Sequence, residues 1–143
     1  MYLMNSKLIQ RSATGIALLG ACLIAGCEDS SGPDSPVGTY TATAFLTTPT
    51  GGQPINQLAN GGTITLNLID GGFTSGHIHI EASGGEPEFD ADLNGLWTVS
   101  GSTVTLDHLA DTFLRDMPLT FDGTRLTGDR TFTGGRVQVT LTR

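Results

Sequence analysis

From Gly38 to Arg143, apolar residues alternate with threonines and other polar residues, and glycines break the alternation at short intervals. A period of two puts successive side chains on opposite faces, so the pattern predicts antiparallel strands with one face buried. The first spans Thr39 to Thr47, with Tyr40, Ala42, Ala44 and Leu46 on the inward face. The second, Thr63 to Ile69, directs Ile64, Leu66 and Leu68 inward, and Asp70, Gly71 and Gly72 supply the positive-φ turn of a hairpin. Phe73 to Glu81 then carries Ile78 and Ile80 on one face and His77 and His79 on the other. Phe73 falls on the histidine face by this count, and a bulge near Ser75 and Gly76 would return it to the apolar side.

The alternation continues through Phe89 to Leu93, Gly95 to Ser100 with Trp97 and Val99, and Thr103 to His108 with Val104 and Leu106. Met117, Leu119 and Phe121 follow, then Thr124 to Thr133, then Arg136 to Arg143 with Val137, Val139 and Leu141 inward. No long helix is predicted. About eight short strands joined by hairpins fit a small all-β up-and-down barrel, with a small sandwich as the alternative. The barrel is preferred, because closure removes the sticky edges that a threonine-rich sheet would otherwise expose.

Upstream the pattern changes. Lys7 and Arg11 precede an apolar run from about Ala13 to Ile24, and Ala25 and Gly26 lead to Cys27. A charged n-region, an apolar h-region and small residues before the cut form a secretory leader. The run is too short for a bilayer span, which needs ~20 apolar residues. Cleavage before Cys22 would leave an h-region of only Ala13 to Leu18, shorter than the ~7–15 residues usual for such regions, so Cys27 is the expected first mature residue. The leader resembles those of bacterial lipoproteins, which implies a lipid-modified Cys27 and an anchor in the bacterial cell envelope. Glu28 and Asp29 follow it; among such proteins Asp next to the lipidated Cys is the signal for inner-membrane retention, so the outer membrane is the expected destination. Residues 27–37 are acidic and rich in Ser, Gly and Pro, the composition of a flexible tether. The expected organisation is thus a signal peptide over 1–26, a tether over 27–37 and one barrel domain over 38–143.

Charge narrows the partners. The full chain has a net charge of −7, its one lysine lies in the leader, and the remaining cations of the mature chain are arginines. Nucleic acids and anionic headgroups need basic patches, so neither is expected as a partner. The membrane contact expected is the lipid on Cys27, the only cysteine after cleavage, so no internal disulfide is expected.

The barrel region resembles the bacterial lipocalin-like lipoproteins, a group within the calycins. Gly38, Thr39 and Tyr40 open the first strand as that family's Gly, any residue, aromatic does; Gly95, Leu96 and Trp97 repeat the arrangement, and Arg143, or Arg136, stands where the family sets an arginine over the first-strand ring. Tyr40 replaces the usual tryptophan, and the chain is shorter than a typical lipocalin. The resemblance implies a non-enzymatic binder of a small apolar or amphipathic ligand, with no cofactor. Candidate ligand contacts are Tyr40, Ala42, Ala44, Trp97 and Phe121, with Ile55 and Leu58 on the long loop from Thr48 to Asn60 that would lie over the barrel mouth. An eight-stranded barrel is wide enough to hold one small ligand or to be filled by its own side chains. A filled barrel serving as a structural or protein-interaction module of the envelope is therefore the competing expectation.

His77 and His79 leave one strand face about 7 Å apart, a spacing that suits a shared metal. Glu86, Glu88, Asp90 and Asp92 also alternate onto one face. A solvated strand face explains both, and no metal is assigned. No nucleophile elbow, HExxH motif or paired nucleophile and base is present, so no catalytic residue is proposed.

Overall fold

The computed structural model describes residues 34–83 and 86–143. The expected signal peptide, Cys27 and the tether as far as residue 33 lie outside them. Ten strands run β1 (Gly38–Pro49), β2 (Ile55–Asn56), β3 (Thr63–Ile69), β4 (Phe73–Ile80), β5 (Phe89–Asp92), β6 (Gly95–Ser100), β7 (Thr103–His108), β8 (Leu119–Phe121), β9 (Arg125–Phe132) and β10 (Gly135–Thr142). A single helical turn, α1 (Phe113–Asp116), stands between β7 and β8.

The sheet runs β1, β3, β4, β6, β7, β8, β9, β10 and closes when β10 pairs antiparallel with β1 from Thr41↔Thr142 to Pro49↔Gly135. This is a closed, eight-stranded antiparallel up-and-down barrel. β2 is a short flap on β1, and β5 extends the line of β6 along the far half of β4. Closure gives every long strand a neighbour on each side, although the β4–β6, β7–β8 and β8–β9 pairings span only two residues each.

The interior is close-packed along most of the barrel. Tyr40, Phe45, Ile64, Leu66, Ile78, Leu93, Leu114, Leu119 and Leu126 are fully buried. Each large apolar side chain of this kind contributes roughly 1.5–3 kcal/mol by leaving water. Leu114 and Met117 reach this core from α1 and the residue after it, so the β7–β8 connection closes part of the barrel interior with its own side chains.

Two face assignments differ from the alternation. The pairing of β1 with β10 shifts register between Ala42 and Ala44, a bulge that exchanges the faces of the strand beyond it. Phe45 consequently points into the core, while Ala44 is exposed on the outer surface and Leu46 lines an outer groove with it. Conversely, β4 carries no bulge at Ser75 and Gly76. Its pairing with β3 is regular from Thr63↔His79 to Ile69↔Phe73, so Phe73 stays on the histidine face and is 56% exposed. Thr74 takes the inward position instead, and its hydroxyl is satisfied by donating to the Leu93 carbonyl at 2.7 Å. Gly76 solves a different problem. A Cβ there would lie 2.1 Å from the Thr65 carbonyl oxygen, so the close approach of β4 to β3 admits only glycine.

Candidate functional site

The two ends of the barrel differ. At the end where β1 begins and β10 finishes, Tyr40 fills the interior and donates its hydroxyl to the Pro36 carbonyl at 2.7 Å. Burial pushes its phenol pKa up, partly offset by the neighbouring Arg143. The Arg143 guanidinium donates to the carbonyls of Ser35 (2.8 Å), Val37 (2.9 Å) and Gly123 (2.5 Å), and lies 5.3 Å over the Phe121 ring. Trp97 is half-buried beside them and donates its indole N–H to Ile69 O at 2.9 Å. These residues close this end. A depression of about 650 Å³ flanks it outside the barrel, with one wall formed by Asp34, Ser35 and Pro36, where the described chain begins.

The opposite end is open. The chain after β1 folds back as β2, pairing Thr47↔Ile55 and Leu46↔Asn56, and Gln57 N–H reaches Phe45 O at 2.9 Å. The loop expected over the mouth therefore lies along the barrel wall. It packs Leu58 against the core and leaves Ile55 facing the opening. From the other side, Thr112 caps α1 by accepting the Arg115 N–H, which aims Phe113 at the mouth. The Phe113 ring stacks on Phe45 with centroids 5.4 Å apart. Above this aromatic pair is a cavity of about 680 Å³, walled by Ile55, Ile80, Phe132 and Val137 and rimmed by Glu81, Glu86, Glu88 and Arg136. Its volume lies within the ~300–1,000 Å³ common for small-molecule sites.

One polar group in the wall is half-used. Gln57 is buried, its amide N–H donates to Thr47 Oγ1 at 2.6 Å, and its side-chain carbonyl oxygen, also buried, has no partner among the described residues. Arg136 at the rim is already forked onto Asp129, and this pairing holds the Asp129 carboxyl below its ordinary range.

The candidate ligand contacts are thus dispersed. Ile55 lies at the cavity, Leu58 behind its wall, Tyr40, Trp97 and Phe121 at the closed end, Ala42 half-buried against the core and Ala44 outside. Phe113, Phe132, Ile80, Val137 and Gln57 were not among them. Phe132 and Ile80 sit on strand faces that alternation could assign, but only the barrel's closure shows which end is left open.

A second cluster lies on the outer face of β4 and β5. The register sets His79 opposite Asp90 and His77 opposite Asp92, so the histidines and the acidic residues of the two strands meet across the pair. Asp90 sits between the rings, with Oδ1 2.6 Å from His77 Nε2 and Oδ2 2.8 Å from His79 Nδ1. His79 Nδ1 also lies 3.7 Å from Glu88 and its Nε2 3.3 Å from Glu81, while His77 Nδ1 lies 3.1 Å from Asp92. Hydrogen bonds to Asp90 and Glu81 raise the His79 pKa. His79, Glu88 and Asp90 bring one ligand atom each within 4.8 Å of one another, a set able to hold a metal ion.

The third histidine behaves oppositely. His108 is buried, its Nε2 meets Thr112 Oγ1 at 2.6 Å and its Nδ1 has no partner among the described residues; burial lowers its pKa, which favours the neutral ring. Comparison with known proteins gave no match: no family model, no curated protein and no solved structure matches the chain.

Proposed function

We propose that this protein is a non-catalytic, lipocalin-like binder of a small amphipathic molecule, held at the bacterial cell envelope by a lipid on Cys27. The observation that carries the binding reading is the cavity at the open end, with an apolar interior and a charged rim. Such a site fits a molecule with an apolar body and a neutral or cationic polar end, because three rim carboxylates face one arginine that is already paired. The envelope reading rests on the sequence around Cys27.

A second reading, a filled barrel that meets a protein partner, is favoured by a specific feature of the outer surface. Ile69, Phe73 and Leu96 are neighbours through the pairs Ile69↔Phe73 and Phe73↔Leu96, and all three are exposed. Exposed apolar groups of this kind mark interaction surfaces when they are contiguous.

The test uses the neutral apolar fluorophore N-phenyl-1-naphthylamine with the full chain in detergent, together with native mass spectrometry of protein taken from bacterial membranes. Binding at the mouth gives a saturable fluorescence rise that Val137→Trp removes by filling the cavity. An absent rise together with no co-purified small molecule would leave the filled-barrel reading standing.

A further inference from the structure

We propose that the outer face of the β4–β5 pair binds one divalent transition-metal ion of the zinc and copper class, through His79 Nδ1, Asp90 and Glu88. The inference is independent of the cavity, although Glu88 also stands at its rim.

His79 is held by carboxylates on both ring nitrogens. Its Nε2 faces Glu81 at 3.3 Å while its Nδ1 faces Asp90 at 2.8 Å and Glu88 at 3.7 Å. A histidine that ligates a metal through one ring nitrogen ordinarily gives its other N–H to a carboxylate, which fixes tautomer and orientation. Glu81 occupies that place. With the Nε2 proton directed at Glu81, loss of the Nδ1 proton leaves a lone pair aimed at the two carboxylates that would complete the set. Asp90 is held in turn by His77, whose Nε2 lies 2.6 Å from the carboxylate oxygen that His79 does not contact. His77 is thus a positioning residue, and Asp92 against its Nδ1 fixes that ring.

Charge favours a cation here. Glu81, Glu88, Asp90 and Asp92 surround two imidazoles, so the cluster stays negative even with both rings protonated. Like charges on one strand face repel. Among the described residues no arginine is an ion-pair partner of the cluster, and Arg115 and Arg136 are engaged with Asp111, Asp116 and Asp129 elsewhere. A divalent cation removes the excess. It takes the place of the proton shared between His79 Nδ1 and Asp90, and that proton leaves to solvent.

Ligand chemistry narrows the ion. One imidazole nitrogen and two carboxylates, with room for water because the side chain of His79 is 23% exposed and those of Asp90 and Glu88 more so, suit borderline ions. Calcium and magnesium take oxygen donors and would gain nothing from the nitrogen.

The test is calorimetric titration of the full chain in detergent micelles with zinc chloride at pH 7.5, with copper(II) electron paramagnetic resonance alongside. The expected result is one saturable zinc site, weakened about tenfold or more in His79→Ala and in Asp90→Asn. The copper spectrum should show coupling to nitrogen that disappears in His79→Ala. His77→Ala should weaken zinc about tenfold and leave that coupling in place, which distinguishes positioning from ligation. Glu88→Gln serves as the ligand variant should His79→Ala fail to fold. Absence of saturable zinc binding, zinc binding unchanged in the ligand variants, or calcium competing as well as zinc would each overturn the proposal.

Discussion

Replacing Arg143 by Met tests whether the closed end is fastened by one side chain. Methionine keeps an apolar stem but removes the cation over Phe121 and the donors that reach the carbonyls of Ser35, Val37 and Gly123. These acceptors are near the surface, so water replaces part of what is lost and the lower range of ~0.5–1.5 kcal/mol per hydrogen bond applies. The cation over the Phe121 ring adds ~0.5–1 kcal/mol at an exposed site. The sum is a loss of roughly 2–4 kcal/mol, a large share of the ~5–15 kcal/mol that holds a domain together. Urea unfolding followed by the fluorescence of Trp97, the only tryptophan, measures it directly. Trp97 lies beside the perturbed end and also reports local loosening there, so circular dichroism should be recorded in parallel. A double-mutant cycle with Phe121→Leu should return a coupling of ~0.5–1 kcal/mol between ring and cation. A loss below about 0.5 kcal/mol in Arg143→Met, the range of an ordinary surface substitution, would refute the reasoning.

Gly76→Ala should cost at least ~3 kcal/mol, because its Cβ meets backbone at 2.1 Å with φ at +140°, whereas Gly134→Ala, with nothing within 4 Å, should stay within ~0.5 kcal/mol; thermal melts of the pair decide. His108 makes stability pH-dependent. Its folded pKa is depressed, so the unfolded chain binds the extra proton; its contribution is complete above the unfolded value of about 6.5 and is lost as pH falls towards the folded value, at up to ~1.4 kcal/mol per pH unit. His79 works the other way, contributing below about 6.5 and fading as pH rises through its raised folded pKa, so the comparison needs His108→Gln beside wild type, and the wild-type urea midpoint should fall more between pH 7.5 and 5. An equal fall in both proteins would exclude His108 as the cause. Cys27→Ser should abolish the mass increment and detergent partitioning expected of a lipoprotein while leaving the barrel's circular dichroism unchanged, and wild-type protein recovered with a free Cys27 thiol would refute the anchor.

The hairpin grammar was readable because its turns depend on local chemistry. Asp70–Gly71–Gly72, Gly101 and Gly123 supply positive φ where the strands reverse, and β3, β6 and β7 begin and end where alternation sets them. What escaped is non-local. The bulge between Ala42 and Ala44 depends on how β10 pairs with β1, 97 positions away at Thr140, and nothing near Thr43 announces it. The opposite error at Ser75 and Gly76 came from preferring an apolar Phe73 inside; the barrel instead accepts a hydrogen-bonded threonine there and leaves the phenylalanine out. The floor of the cavity was hidden for a similar reason. Phe113, which lines it, belongs to a turn too short for helical periodicity, and Phe45, against which Phe113 packs, lies on the outer face by simple alternation. Both histidines were visible, and so was the acidic run; what alternation could not supply was the register that sets Asp90 between two rings.

The fastening of Ser35 and Val37 by Arg143 gives the barrel a polarity. Backbone that precedes β1 arrives at the sealed pole, and the cavity opens at the far one. A molecule entering the cavity would therefore reach it without passing the residues that lead into β1.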